Sequence, residues 1–150
     1  MRDLVYYEAP AEERERILQV ITRRLAREEG VVFAYAHGGF VRRSFFRDID
    51  IAVWLKDASD ASRYVLDLSV ELEAEVRLPV DVQVLNEAPP SFKYRVVTEG
   101  RLLLSRDERL RKELVNTIAR EYLDFPVSPR ILRPQGVSRA GSTQAEPMQR

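Results

Sequence analysis

The amino-acid sequence predicts an α/β (α+β) domain in which a small mixed β-sheet is flanked by helices. Short apolar segments with strand periodicity alternate with longer segments whose apolar residues recur every three or four positions. The resulting order of elements is α-β-β-α-β-α-β-α, and strands interleaved with helices need cover on both faces of their sheet. The 150 residues suffice for one domain with its own hydrophobic core.

The first helix is expected to start at Pro10 and to stop before Gly30, because proline suits a first helical position and glycine ends helices well. Apolar residues at helical spacing form the stripe that should face the core: Ile17, Leu18, Ile21 and Leu25. A nearly all-apolar segment over residues 31–36 then predicts a buried strand that ends in a turn at Gly38-Gly39.

A turn of helix is expected over residues 40–46, followed by the second strand over residues 48–55. Residues 56–60 supply loop and helix-cap positions for a helix that continues to about Val76, before Pro79 interrupts the pattern. Residues 80–85 alternate in the manner of a third strand. The two faces of that strand carry Val80, Val82 and Val84 on one side and Asp81, Gln83 and Leu85 on the other.

A proline pair opens the next short helix, which closes at Gly100, and residues 101–104 form a brief fourth strand. The Ser-x-x-Glu pattern of Ser105 and Glu108 is a capping box that should start the last helix. The apolar face of this helix carries Leu110, Leu114, Ile118 and Tyr122.

Composition narrows the classes of function. The chain has no cysteine, which excludes disulfides and thiolate metal sites, and its single histidine, His37, excludes a histidine-rich zinc site. A formal net charge of zero argues against a protein that coats nucleic acid. No apolar run approaches the roughly 20 residues of a membrane span, and no secretory signal is evident, so the cytoplasm is expected. The domain should cover residues 1–128, with a flexible tail over residues 129–150.

Two aspartates at the start of the second strand predict a metal site. Side chains alternate along a strand, so Asp48 and Asp50 should point the same way, with their Cα atoms roughly 7 Å apart. Two neighbouring like charges are unfavourable unless a cation neutralises them. Hard oxygen ligands in this arrangement suit Mg²⁺, which retains waters and recruits substrate phosphates. The sequence therefore predicts a metal and nucleotide site.

The spacing of these residues resembles that of a known superfamily. Gly38-Gly39, eight residues, the Asp48–Asp50 pair and a later strand with Asp81 resemble the signature of the DNA polymerase beta nucleotidyltransferases. The small size and residues 80–90 resemble the minimal nucleotidyltransferases of prokaryotes. This resemblance implies the nucleotidyltransferase fold, ATP as substrate and two Mg²⁺ ions. It also implies a partner, a HEPN-type RNase toxin, which an antitoxin of this kind silences by transferring AMP to a tyrosine.

The resemblance assigns roles to individual residues. It makes Asp48 and Asp50 the metal-binding pair, and Asp81 either the base for the incoming hydroxyl or a further metal ligand. The Gly38-Gly39 turn would let backbone N–H groups approach the triphosphate, and Arg42 would neutralise phosphate charge.

Three departures from the family pattern leave alternatives open. Gly39 stands where serine is frequent, and Arg43 stands where glycine is frequent, in a loop that is slightly short. Arg47 replaces the small polar residue usual before the aspartate pair, and it could pair with the aspartates when metal is absent or contact nucleotide phosphate. One alternative is an inactive or weak nucleotidyltransferase that neutralises its toxin by binding. Another is a small-molecule nucleotidyltransferase, which would need a second domain or a dimer to form an acceptor pocket. Neither a membrane nor stably bound nucleic acid is expected, and the sequence leaves homo-oligomerisation open.

Overall fold

The computed structural model describes residues 5–124. Its first half contains β1 (Tyr7–Glu8), α1 (Ala11–Ala26), β2 (Val31–His37), α2 (Gly39–Arg42), β3 (Phe45–Phe46) and β4 (Ile49–Leu55). Its second half contains a 3₁₀ turn (Ala58–Asp60), α3 (Ala61–Val76), β5 (Val80–Val84), α4 (Pro90–Glu99), β6 (Arg101–Ser105) and α5 (Glu108–Asp124). The longer elements follow the predicted α-β-β-α-β-α-β-α order, and the α/β class is confirmed.

Four strands form the main sheet, in the order β5-β4-β2-β6. Strand β2 runs antiparallel to both β4 and β6, whereas β4 and β5 are parallel, so the sheet is mixed as predicted. The pairing register sets His37 opposite Asp50 and sets Asp50 opposite Asp81. These three residues therefore lie in one row across three adjacent strands, at one end of the sheet.

Hydrophobic clusters cover both faces of this sheet. One cluster contains the predicted stripe of α1, which is buried, together with the buried residues of α3 and alternate strand residues such as Ile49 and Ile51. The other contains Phe33 and Leu85, with Trp54 and residues of α4 and α5 packed against it. Because residues alternate along β4 and β5, Asp50 and Asp81 face the same side as this second cluster.

The predicted helical turn over residues 40–46 is wrong in its second half. Helix α2 ends at Arg42, and Phe46 belongs to β3, which pairs antiparallel with β1. The rings of Phe40 and Phe46 meet at a centroid distance of 4.7 Å, and both side chains are buried. Residues six positions apart lie on different faces of a helix, so burying both rings together requires the chain to leave the helix.

The last helix is confirmed, but its predicted capping residue is wrong. Ser105 is the final residue of β6, and its hydroxyl contacts the side chain of Glu108 at 2.8 Å. The backbone N–H of Leu110 instead donates to Oδ1 of Asp107 at 3.0 Å. Because α5 begins at Glu108, the capping position falls on Asp107.

Residues up to Ile118 belong to one compact unit. A second unit starts at Ala119, and only its residues 119–124, the end of α5, are described. The predicted domain boundary at residue 128 and the predicted tail over residues 129–150 lie outside the described residues. No helix within residues 5–124 is both long enough and apolar enough to cross a membrane.

Candidate active site

Gln83 connects the three residues that the strand register sets in a row. Its Nε2 donates to Oδ1 of Asp50 at 2.9 Å and to Oδ2 of Asp81 at 2.8 Å. Its Oε1 lies 2.6 Å from Nε2 of His37, which must carry a proton to donate to that oxygen. One amide therefore bridges two carboxylates and one imidazole from three strands.

The charge on Asp50 is unfavourable in this setting. Burial raises the pKa of the Asp50 carboxyl above its ordinary value, and the nearby charges of Asp48 and Asp81 raise it further. The hydrogen bond from Gln83 and the proximity of His37 act in the opposite direction. Asp48 lies in the bend just before β4, close enough to add to this repulsion. The site thus favours a positive charge next to Asp50.

The turn after β2 presses directly against the Asp50 carboxylate. Gly38 has a φ of +80°, a conformation that glycine adopts readily and other residues rarely do. A Cβ atom at position 38 would lie 2.4 Å from Oδ2 of Asp50. At Gly39 the nearest atom to such a Cβ is 3.7 Å away, so a side chain fits there. The two glycines are therefore not equivalent, since only Gly38 is required by the contact with the aspartate.

Arg42 is held in place by an ion pair. It lies at the end of α2 and forms an ion pair with Glu99 at the end of α4. Both side chains are about half exposed, which makes the pair weak and easily exchanged for another anion. Arg47 makes no ion pair with Asp48 or Asp50 among residues 5–124.

Arg14 of α1 positions the loop that follows α2, a role that the sequence did not reveal. Its guanidinium lies 5.6 Å from the ring centroid of Phe40 and 5.5 Å from that of Phe46. It donates at 2.5–2.8 Å to four backbone carbonyl oxygens, those of Ala9, Phe40, Arg43 and Ser44. The planar fork of an arginine suits such a set of acceptors, and it fixes the loop that carries Arg43, one of the departures from the family pattern.

A cleft of about 300 Å³ opens beside these groups. Its lining contains His37, Gly38, Arg42, Asp50, Gln83, Phe92, Arg95 and Glu99. Three of the predicted site residues, Gly38, Arg42 and Asp50, line it; the other three, Asp48, Asp81 and Gly39, do not. Helix α4 supplies the remaining wall, where the Phe92 ring meets His37 edge-on and Arg95 lies over the same ring.

Sequence reasoning missed Gln83 and the α4 residues of the cleft. Strand alternation had already put Gln83 on the face of Asp81, so its position was available but its hydrogen bonds were not. The approach of α4 to His37 depends on the strand order of the sheet, for which the sequence carries no local signal.

The donor atoms fit a hard divalent cation. No three histidine, cysteine, aspartate or glutamate side chains within residues 5–124 are gathered closely enough to hold a metal as they stand. Asp50 and Asp81 nevertheless present carboxylate oxygens to one shared point, where the NH₂ group of Gln83 now lies. Carboxylate oxygens are the ligands that Mg²⁺ prefers, and burial, with the charges of Asp48 and Asp81 adding to it, raises the pKa of Asp50 and disfavours its unneutralised carboxylate.

The sequence matches the model of one protein family. The model of the polymerase beta nucleotidyltransferase family matches residues 19–109, which is more than half of the chain. The matched segment contains the Gly38-Gly39 turn, the Asp48–Asp50 pair and Asp81. No curated protein matches the chain.

Several solved structures share the fold. A chain from the complex of a tri-AMPylated Shewanella oneidensis HEPN toxin with an MNT antitoxin is 21% identical, with a TM-score of 0.59; the match covers 73% of this chain and 89% of that one. A chain of the toxin–antitoxin MntA–HepT is 20% identical, with a TM-score of 0.58 and coverage of 78% and 90%. A chain of a toxin–antitoxin with AMP-PNP is 22% identical, with a TM-score of 0.61 and coverage of 75% and 89%.

Proposed function

Since the chain belongs to the polymerase beta nucleotidyltransferase family, we propose that it transfers AMP from ATP to a tyrosine hydroxyl of a HEPN-type toxin and so acts as its antitoxin. The observation that carries this proposal is the register of β4 and β5, which sets the carboxylates of Asp50 and Asp81 side by side next to the Gly38 turn. Paired carboxylates beside a glycine turn are what a metal-bound triphosphate requires.

Asp48, Asp50 and Asp81 are the residues that would hold Mg²⁺, with two ions expected. When bound, Mg²⁺ neutralises these carboxylates, withdraws charge from the phosphates and lowers the pKa of the attacking hydroxyl. Asp81 is the exposed member of the set, so it can be reached by an acceptor that approaches from solvent. Asp50 is half-buried and fixed by Gly38 and Gln83, which suits a permanent ligand rather than a group that moves.

At phosphorus, the transfer forms one bond and breaks one. The tyrosine oxygen attacks the α-phosphorus of ATP, and the bond from that phosphorus to the oxygen bridging to the β-phosphorus breaks in line. Pyrophosphate leaves with the electron pair, and the phenolic proton passes to the Asp81 carboxylate. Arg42 exchanges Glu99 for the triphosphate and stabilises the charge that develops on it.

The proposed partner and transferred group are drawn from a structural relative. A HEPN toxin that carries three AMP groups is bound to an MNT antitoxin in one of the matched structures, and AMP-PNP is present in another. Those findings concern the relatives. They support the choice of ATP as donor and of a HEPN-type toxin as acceptor for this chain, and a cytoplasmic location accords with such a pair.

A second candidate function is neutralisation by binding alone. The internal pairing of the site favours it, because Gln83 engages both Asp50 and Asp81 while Arg42 is engaged by Glu99. A protein that binds its toxin without catalysis would keep these contacts in the complex.

Intact-mass spectrometry of the HEPN partner distinguishes the two functions. The partner is incubated with ATP, Mg²⁺ and either the wild type, the Asp48→Ala/Asp50→Ala double variant, or Asp57→Ala, which removes an exposed aspartate at the 3₁₀ turn. AMP-sized increments with wild type and Asp57→Ala, but none with the double variant, are expected. If all three proteins form a stable complex and none changes the mass, the enzyme is ruled out and the binding antitoxin is supported.

A further inference from the structure

We propose that Gln83 is a positioning residue that holds Asp50 and Asp81 together in the metal-free protein and releases both carboxylates when a divalent cation binds between them. The inference rests on the proposed metal-dependent function, and it assigns to Gln83 the control of metal affinity at that site. It follows from the position of one NH₂ group between two negative charges.

The orientation of the Gln83 amide is fixed by its neighbours. A carboxylate only accepts hydrogen bonds, so the amide face that meets both Asp50 and Asp81 must be the NH₂ group. The opposite orientation would set the amide oxygen against two carboxylates. The oxygen is instead turned to His37, whose ring is in turn packed edge-on against Phe92. The amide of Gln83 therefore donates one hydrogen bond to each carboxylate and accepts one from His37.

The sheet leaves room for this arrangement. Gln83 lies two residues beyond Asp81 on β5, on the same face, and its partner in the parallel register on β4 is Ala52. Since alanine is small, no large side chain opposite Gln83 prevents it from folding back over the strand ends.

The amide and a cation compete for the same carboxylate oxygens. Without metal, the partial positive charge of the NH₂ group relieves some of the repulsion between Asp50 and Asp81. A divalent cation relieves more of it, but both charge-assisted hydrogen bonds must break before it can bridge the pair. Their loss subtracts from the binding free energy, so Gln83 weakens metal binding at this site.

The test is binding of Mn²⁺ in the absence of nucleotide, followed by electron paramagnetic resonance of the free ion. The full chain is compared with Gln83→Met, which keeps the length of the side chain but removes the amide, and with Gln19→Met, which makes the same change on the exposed face of α1. Asp50→Asn reports whether the ion lies at the carboxylates. We expect Gln83→Met to bind Mn²⁺ about a hundredfold more tightly, the effect of removing two competing charge-assisted hydrogen bonds, and Gln19→Met to match the wild type.

A second readout uses the wild type itself and does not depend on a variant that folds. The side-chain NH₂ resonances of Gln83, assigned by through-bond correlations in the isotope-labelled wild type, should move toward solvent-exposed values as Mg²⁺ saturates the protein. Resonances that stay in place, or Mn²⁺ affinity in Gln83→Met that is equal to or weaker than wild type while Asp50→Asn abolishes binding, would overturn the role of Gln83 and leave the proposed function intact. Equal binding to Asp50→Asn and wild type would instead contradict the metal site of the proposed function.

Discussion

Gly38 and Asp50 approach so closely that a Cβ atom on the first would lie 2.4 Å from Oδ2 of the second. A carbon and an oxygen atom that are not bonded cannot lie this close, so one of the two would have to move. Asp50 cannot withdraw easily, because Gln83 and the neighbouring strands hold it. The positive φ of Gly38 adds a second reason for glycine at this position. The turn and the carboxylate are therefore one structural unit.

Substitution of Gly38 by alanine should displace the Asp50 carboxylate and impair catalysis. We expect kcat/KM for AMP transfer to fall about a hundredfold, the usual effect of misplacing a reacting group by about 1 Å. The conformation of Gly38, with φ +80° and ψ −159°, is almost exclusive to glycine and should also cost alanine about 1–3 kcal/mol in the free energy of unfolding. Steady-state kinetics and urea denaturation measure the two effects. Gly39→Ala is the matched control, because its Cβ would meet no atom closer than 3.7 Å, and it should behave like the wild type.

Asp50→Asn should stabilise the metal-free protein at neutral pH. The pKa of Asp50 is raised in the folded state, so the stability associated with its protonated form is present at low pH and is lost as the pH rises through that raised value. Asparagine remains uncharged throughout and still accepts from Gln83. We expect a higher free energy of unfolding than that of the wild type at pH 7, measured by urea denaturation in EDTA, and no difference once the pH falls below the ordinary pKa of an aspartate, where the wild-type carboxyl is protonated too.

Asp57 supplies a control of the opposite sign for that experiment. Hydrogen bonds from the backbone N–H and the hydroxyl of Ser59 lower the pKa of this exposed carboxyl. Its contribution to stability is therefore present at neutral pH and is lost as the pH falls, so Asp57→Asn should not stabilise the protein at pH 7. Equal stabilisation by both substitutions would indicate a general effect of net charge and would contradict the specific account of Asp50.

The parts of the fold that the sequence predicted depend on local patterns. The buried stripe of α1 follows from helical periodicity, and the common face of Asp81, Gln83 and Leu85 follows from strand alternation. The parts that it did not predict depend on contacts between distant residues. Gln83 meets an aspartate 33 positions away, and Arg14 reaches carbonyl groups up to 30 positions away.

The strand β3 illustrates the same limit at shorter range. Phe45 and Phe46 carry no alternation long enough to predict a strand, and only pairing with β1 makes them one. The direct opposition of Asp50 and Asp81 likewise needs the register of two parallel strands, which no local pattern specifies. Both features can be recognised only once the order and register of the strands are known.

Glu99 should compete with ATP for Arg42. The two side chains form an exposed ion pair, and pairs of this kind contribute about 0.2–1 kcal/mol. Glu99→Gln frees Arg42 and should lower KM for ATP by a factor of about 1.5 to 5 at low ionic strength, with little effect at high salt. Initial-rate kinetics at two salt concentrations measure this. Glu15→Gln breaks a comparably exposed pair with Arg101 that lies outside the cleft lining, and it should leave KM unchanged.

Arg14 should stabilise the loop after α2, and its removal should cost more stability than removal of an exposed arginine on the same helix. Replacing it with methionine keeps the apolar part of the side chain against Phe40 and Phe46 but leaves four backbone carbonyl oxygens without their donor. We expect the free energy of unfolding to fall by about 2 kcal/mol, because the contacts to Ala9 and Phe40 are part-buried and an unsatisfied buried polar group costs about 1–3 kcal/mol. The exposed carbonyl groups of Arg43 and Ser44 can turn to water instead. Lysine should recover only part of this loss, because a single ammonium group cannot span four acceptors in the way a planar fork does.

The matched control is Arg16→Met, which removes an exposed arginine that lies 3.7 Å from Glu13 and should change the stability by less than about 0.5 kcal/mol. Equal losses for Arg14→Met and Arg16→Met in urea denaturation would show that the four carbonyl contacts do not hold the loop.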